Sequence, residues 1–147
     1  MKHYELILPT SIKQQLIEHA QQIMPIESCG YLGGTLIDNI AKATTFYPMT
    51  NIDNSPEHFT FDPKEQFQVV KQARQANESL IAVYHSHPAS PARLSAEDIR
   101  LFNDPNPVYI IVSLASDNAD IQGFKVFKEN KDSIEIINVN ITATKEA

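Results

Sequence analysis

The sequence is poor in cysteine, and this scarcity limits the chemistry available to the chain. Cys29 is the single cysteine among 147 residues, so no disulfide can form within the chain, which suits a reducing cytosol. A zinc deaminase site needs a Pro-Cys-x-x-Cys segment, which one cysteine cannot supply. Cys29 is typical of a small buried apolar side chain, because no histidine pairing signal indicates a nucleophile.

Basic residues are also scarce, since 12 lysines and arginines stand against 18 aspartates and glutamates. The net charge is −6 and the pI is near 5.3. Nucleic-acid surfaces need a cluster of basic side chains that meets the phosphates, so this balance argues against a nucleic-acid partner. The acidity is typical of a charge that aids solubility, and an attraction for a basic partner stays open.

Long apolar runs are absent as well. The longest covers residues 108–115 and is far shorter than the roughly 20 residues that a membrane-spanning helix needs. The apolar patch near the N-terminus is broken by Glu5 and Pro9 and is too short for the apolar core of a signal peptide. We therefore expect a cytoplasmic protein without a membrane partner.

The spacing of apolar residues predicts one α+β domain over residues 1–147, with a mixed sheet flanked by three helices. Spacings of three and four predict the first helix over residues 11–23, with Thr10 or Ser11 as its N-cap. In this helix His19 falls on the polar side and is expected in solvent. Strands are predicted at residues 4–8, 31–36, 40–48, 59–61, 80–83, 108–114, 121–128 and 134–141, and residues 142–147 are expected to fray.

Asp62 followed by Pro63 predicts the start of the second helix, because the acid can cap it and proline fits the first helical position. We expect this helix to run to about residue 77 and to bury Phe67, Val70 and Ala73. A third helix is predicted after Ser95.

The chemistry of the chain is concentrated in residues 84–98, YHSHPASPARLSAED. His85 and His87 end a buried strand two residues apart, so both imidazoles lie on the same face of it. Asp98 stands in the first turn of the following helix, where its carboxylate can complete a three-ligand metal site. Zinc in hydrolytic sites takes three protein ligands, with histidine and aspartate both acceptable. Iron or manganese would accept the same donors.

Each of these signals also has a simpler explanation. Ser95 and Asp98 form a helix-capping pattern, a serine N-cap with an acid at the third helical position, which needs no metal. A lone His-x-His pair is weak on its own. Glu27, in a loop far upstream, is typical by its spacing of a surface carboxylate. The conjunction of the histidines and the acid on one strand-loop-helix unit is what favours a metal site.

The chain resembles the JAMM, or MPN-plus, metallopeptidases, whose pattern is a distant glutamate, then His-x-His-Pro, six residues and Ser-x-x-Asp. Every position is filled, by Glu27, by residues 85–88 (HSHP) and by residues 95–98 (SAED). The resemblance extends to residues 27–33, 55–62 and 109–113. It spans most of the chain and looks like the short, single-domain prokaryotic branch.

The resemblance implies a JAMM/MPN fold of cytidine-deaminase-like architecture and a zinc metallopeptidase. It implies that His85, His87 and Asp98 hold Zn²⁺, with a water in the fourth place. Glu27 would be the general base that takes a proton from this water, and Ser95 would help to stabilise the oxyanion.

The implied reaction is hydrolysis of a peptide or isopeptide bond next to the C-terminal Gly-Gly of a ubiquitin-like sulfur-carrier protein. We expect such a tail to add as a strand beside an edge of the sheet. The alternative from another class is a non-catalytic MPN-type scaffold or a module that binds a ubiquitin-like protein. Relatives that have lost their metal ligands take this role.

Overall fold

The computed structural model describes residues 3–145, in which seven strands and three helices form the fold. The strands β1 to β7 span Glu5–Pro9, Cys29–Ile37, Ile40–Met49, Ser79–His87, Val108–Ser113, Asp120–Asn130 and Ser133–Thr144. The helices α1 to α3 span Thr10–Ile23, Pro63–Gln75 and Ala96–Leu101. This content confirms the predicted combination of a sheet with three helices.

The strands form one mixed sheet that closes into a barrel in the order β1-β3-β2-β4-β5-β6-β7. β1 runs parallel to both β3 and β7, and β4 runs parallel to β5. The other neighbours are antiparallel. Within residues 3–145 every strand therefore has a neighbour on each side. The neighbours are not paired along their full length, since β1 meets β3 only over residues 40–42 and β7 only over residues 140–144, so the expected sheet edge for a substrate tail stays a prediction.

β4 lies in the middle of this arrangement, between β2 and β5. All six residues of β5 are buried, as predicted for a central strand covered on both faces. In the pairing of β2 with β4, Cys29 lies opposite His85. This register brings the loop before β2, which contains Glu27, next to the histidines at the end of β4.

The first helix packs on the barrel through Ile12, Leu16 and Ala20, which join the main hydrophobic cluster. Its predicted cap is wrong: the N-cap is Pro9, without a side-chain hydrogen bond, because β1 leads directly into α1. The predicted solvent exposure of His19 is also wrong. Its Nδ1 lies 3.3 Å from the hydroxyl of the buried Tyr84.

The second helix begins as predicted, with the Asp62 side chain accepting a hydrogen bond from the amide of Lys64. The predicted burial of Ala73 is confirmed, but the predicted burial of Phe67 and Val70 is wrong, since these side chains are 72% and 39% exposed. The buried residues are Val69 and Ala73. Their i, i+4 spacing places both on one face of the helix, where Val69 packs with Cys29 and Met49.

Two further predictions of local structure fail. Residues 59–61 form only an isolated bridge between Asn51 and Phe61 instead of a strand. β7 continues to Thr144, where it pairs with Pro9 of β1, so the predicted fraying is wrong up to that residue. Residues 146 and 147 lie outside the described part of the chain. No helix within residues 3–145 is both long and apolar enough to span a bilayer.

We expect Gly34→Ala to destabilise the barrel. A Cβ at Gly34 would collide with the carbonyl oxygen of Lys42 on β3, next to a shift in the register of the two strands. Overpacking against backbone typically costs about 1–3 kcal/mol, and urea unfolding would measure the loss. Gly123→Ala is the control, because its Cβ would meet only side-chain atoms at 3.3 Å or more. Equal effects of both substitutions would contradict the expectation.

Candidate metal centre

The two histidines of β4 converge on one point. Because strand side chains alternate, His85 and His87 project from the same face, and their Nε2 atoms lie 3.1 Å apart. Both rings are buried. The Nδ1 atom of His87 lies 2.8 Å from the carbonyl oxygen of Pro91, in the loop that follows β4. This contact fixes the orientation of the His87 ring.

Asp98 reaches the same point from α3. Its Oδ1 lies 3.1 Å from Nε2 of His85, and its Oδ2 lies 3.1 Å from Nε2 of His87. The predicted capping box is confirmed, since Ser95 Oγ accepts a hydrogen bond from the Asp98 amide and Asp98 Oδ2 accepts one from the Ser95 amide, both 3.0 Å long. Capping therefore holds the carboxylate against the histidines and is compatible with ligation.

The spacing of these donor atoms fits a metal ion. Zinc lies about 2.0–2.2 Å from nitrogen and oxygen ligands, so neighbouring ligands of a tetrahedral ion are about 3.3 Å apart. The observed separations of 3.1 Å are close to this value. Two imidazoles and a carboxylate are also a donor set that suits zinc, and iron or manganese as well. The residues present therefore fit the implied cofactor.

Glu27 lies beside this cluster and is not a surface carboxylate. It is 3% exposed, and ligand atoms of Glu27, His85 and His87 all lie within 4.8 Å of one another. Among residues 3–145 its Oε1 has no hydrogen-bond partner. The interpretation of Glu27 as an exposed loop residue is therefore wrong. Its burial comes from the pairing of β2 with β4, which residue spacing could not indicate.

The two carboxylates of the site have opposite pKa shifts. Burial raises the pKa of Glu27 to about 8, and the nearby charge of Asp98 adds to this, while His87 opposes it. Burial also acts against the charge of Asp98, but hydrogen bonds from His85 and His87 outweigh it and hold the pKa of Asp98 far below its usual range. Asp98 is thus an anion, whereas Glu27 can hold a proton near neutral pH.

The two histidines also differ in the direction of their pKa shifts. Burial lowers the pKa of His85, against the hydrogen bond to Asp98. Burial also acts to lower the pKa of His87. The contacts of His87 with Asp98 and with the Pro91 carbonyl outweigh this effect, so its pKa is raised. The pKa values of the two rings are therefore shifted in opposite directions.

Asn51 holds the backbone of Glu27 in place, and sequence reasoning missed it. Its buried Nδ2 donates to the carbonyl oxygens of Glu27 and His58, both at 3.0 Å. Its Oδ1 accepts from the amides of Asp53 at 3.0 Å and Thr60 at 3.1 Å. In the sequence, Asn51 begins a turn-forming stretch, and no periodicity distinguishes a solvated asparagine from one that joins two loops.

Comparison with known proteins identifies similar chains in several organisms. Residues 9–126 match the family described as prokaryotic homologs of the JAB domain. The chain is 32% identical over 110 residues to the CysO-cysteine peptidase of Mycobacterium tuberculosis, covering 75% of this chain and 74% of that protein. It is 29% identical over 119 residues to the desampylase of Haloferax volcanii, covering 77% and 84%.

A further relative is the probable TtuB-protein conjugate cleaving protease of Thermus thermophilus, 28% identical over 96 residues, covering 65% of this chain and 62% of that protein. Among solved structures, a protein from Desulfitobacterium hafniense is similar with a TM-score of 0.84 and 37% identity. The match covers 96% of this chain and 94% of that one.

The raised pKa of Glu27 predicts how the stability of the metal-free protein depends on pH. Between about pH 4.5 and 8 the folded chain keeps a proton that the unfolded chain has lost. The contribution of Glu27 is therefore fully present below about pH 4.5 and is lost as the pH rises through 8. Glu27→Gln removes this titration, so we expect its free energy of unfolding to fall less over that range.

Urea unfolding from pH 5 to 8, in the presence of a chelator, measures the difference between the two proteins. Glu135→Gln, at an exposed position of β7, is the control and should follow the wild type. Parallel pH profiles for wild type and Glu27→Gln would contradict the assignment of the raised pKa to Glu27.

Proposed function

The chain belongs to the family of prokaryotic homologs of the JAB domain, and from this membership we propose a zinc-dependent metallopeptidase or isopeptidase. Its substrate is a peptide or isopeptide bond next to the C-terminal Gly-Gly of a ubiquitin-like sulfur-carrier protein. One observation of the structure supports the proposal most directly. The Nε2 atoms of His85 and His87 lie 3.1 Å from each other and from the carboxylate oxygens of Asp98, beside the buried carboxylate of Glu27.

In this proposal His85, His87 and Asp98 hold the metal. A bound zinc ion supplies a Lewis acid that lowers the pKa of water and polarises the scissile carbonyl group. The chain prepares the site for a cation, because Asp98 remains anionic and the contact with Pro91 fixes the His87 ring. All three side chains are buried.

Glu27 is the general base. It takes a proton from the attacking water and donates it to the leaving amine. Its pKa of about 8 in the metal-free site supports this role, because a group that exchanges protons near neutral pH can act first as base and then as acid. A nearby cation would lower this pKa and favour the basic form. The free Oε1 of Glu27 supports the same assignment, since it has no partner within residues 3–145.

Ser95 stabilises the oxyanion in this mechanism. Its hydroxyl oxygen accepts the hydrogen bond of the Asp98 amide, and a serine hydroxyl can donate its own hydrogen at the same time. Capping of α3 and donation to an oxyanion are therefore compatible roles for this one side chain.

The names of the relatives support the substrate class, since each describes a peptidase, a desampylase or a protease that cleaves a protein conjugate. A Gly-Gly tail suits a buried centre, because glycine lets an extended chain approach closely. In this proposal the tail adds as a strand beside the sheet, where pairing is incomplete: β1 meets β3 only over residues 40–42. We also propose that residues 1–147 act in the cytoplasm as one JAMM/MPN domain of cytidine-deaminase-like architecture.

We expect Glu27→Gln to keep about one zinc ion per chain and to lose cleavage. The amide can no longer accept a proton from water, and loss of general acid–base catalysis typically costs about 10²–10⁴-fold in rate. The measurement is release of the product from a ubiquitin-like protein extended beyond Gly-Gly, with metal content determined in parallel. Glu135→Gln is the control and should cleave at the wild-type rate.

His87→Ala and Asp98→Ala should lose the metal as well as the activity. Cleavage by Glu27→Gln at the wild-type rate would contradict its assignment as the base. If the wild-type protein bound no metal and cleaved no such substrate, a non-catalytic scaffold would be the better interpretation.

A further inference from the structure

We propose that Phe59 and Phe102 are positioning residues that orient the His85 ring as a metal ligand by aromatic packing. The proposal rests on the metal site of the proposed function and concerns how this chain builds it. A metal-binding histidine usually donates its second ring nitrogen to a carboxylate, a carbonyl oxygen or water, which fixes the ring. The two histidines of this site differ in that respect.

His87 follows the usual arrangement, with Nδ1 at 2.8 Å from the Pro91 carbonyl oxygen. His85 does not. Its Nε2 faces His87 and Asp98, and its Nδ1 is buried without a hydrogen-bond partner among residues 3–145. The ring of His85 is fully buried, so something other than a hydrogen bond at Nδ1 must set its rotation.

Two phenylalanine rings contact the His85 ring from different directions. Phe59 is stacked on it, with ring centroids 5.0 Å apart and planes inclined by 25°. Phe102 meets it edge-on, with centroids 5.5 Å apart and planes inclined by 72°. Stacked and edge-to-face pairs are the arrangements that aromatic rings prefer. Together the two contacts restrict rotation of the imidazole about both of its side-chain bonds.

Both phenylalanines are themselves anchored. Phe102 stacks on Tyr109 with centroids 4.0 Å apart and planes inclined by 6°, and the Tyr109 hydroxyl donates to the carbonyl oxygen of Asp104 at 2.7 Å. Phe59 packs against Phe61 with centroids 5.4 Å apart. Its chain neighbours His58 and Thr60 are both hydrogen-bonded to the side chain of Asn51.

Phe102 also belongs to the helix that contains Asp98, since it is the C-cap residue of α3. A single aromatic side chain thus connects the strand that carries His85 with the helix that carries the third donor. Aromatic packing thus takes the place of the hydrogen bond that usually fixes the ring of a metal ligand. A hydrogen-bond acceptor at the second ring nitrogen raises the basicity of a histidine ligand. His85 lacks this acceptor and is therefore a weaker metal ligand than His87.

The test is zinc affinity, measured by competition with a chelator on metal-free protein. Phe59→Leu and Phe102→Leu keep apolar volume but remove the flat ring, and we expect each to weaken zinc binding about 10–100-fold, as loss of an outer partner of a ligand does. Phe59→Tyr retains the ring and should restore affinity to within about threefold of wild type. Phe67→Leu, at the exposed position on α2, is the control and should bind zinc as the wild type does.

Two further readouts separate positioning from general stability. The visible spectrum of the Co²⁺-substituted protein should change in Phe59→Leu and not in Phe67→Leu, because it reports ligand geometry. Urea unfolding of the metal-free variants measures their stability. If Phe59→Leu unfolds more easily but binds zinc with wild-type affinity and an unchanged Co²⁺ spectrum, the aromatic rings are structural only and the proposal is overturned.

The outcomes also separate this proposal from the proposed function. If the wild type binds zinc but cleaves no substrate, and Phe59→Leu loses zinc affinity, the positioning role is supported and the proposed peptidase is overturned. If the wild type binds zinc and cleaves its substrate, and both leucine variants bind zinc equally well, only the positioning role is overturned. Wild type that binds no zinc overturns both.

Discussion

The antiparallel pairing of β2 with β4 is the constraint on which the site depends. It sets Cys29 opposite His85 and extends one residue before the start of β2, where the Ser86 amide donates to the Ser28 carbonyl at 3.0 Å and the Ser28 amide donates to Ser86 Oγ at 2.8 Å. Glu27 is the next residue. A slip of one position would turn His85 and its neighbours to the other face of the sheet, so this register places the base and the histidines together.

Burial then gives two carboxylates of the same site different properties. Asp98 receives hydrogen bonds from the capping box and lies against two imidazoles, so its charge is compensated. Glu27 is buried to a similar degree without a partner for Oε1 within residues 3–145, so burial favours its neutral form. Carboxylates whose surroundings shift their pKa values apart are suited to separate tasks, here metal binding and proton transfer.

The sequence allowed prediction of what depends on near neighbours in the chain. Period-two and helical spacings predicted the seven strands and three helices, with residues 59–61 as one strand too many, and the Ser95–Asp98 spacing predicted the capping box. Features that depend on distant contacts were missed or wrong: the burial of Glu27, the exposure of Phe67, and Asn51 as a link between loops. Closure of the barrel was missed for the same reason, because nothing in the local pattern of β1 indicates that it pairs with β7.

That closure has a consequence for how the chain folds. β1 joins β7 in parallel from Glu5 opposite Asn140 to Pro9 opposite Thr144, so the two strands that complete the barrel are separated by nearly all of the described chain. Pairing across such a separation is entropically slow and gives a high contact order. During synthesis β1 has only β3 as a neighbour until the last strand has been made. The barrel, and the core it encloses, can therefore be completed only after β7 has been synthesised.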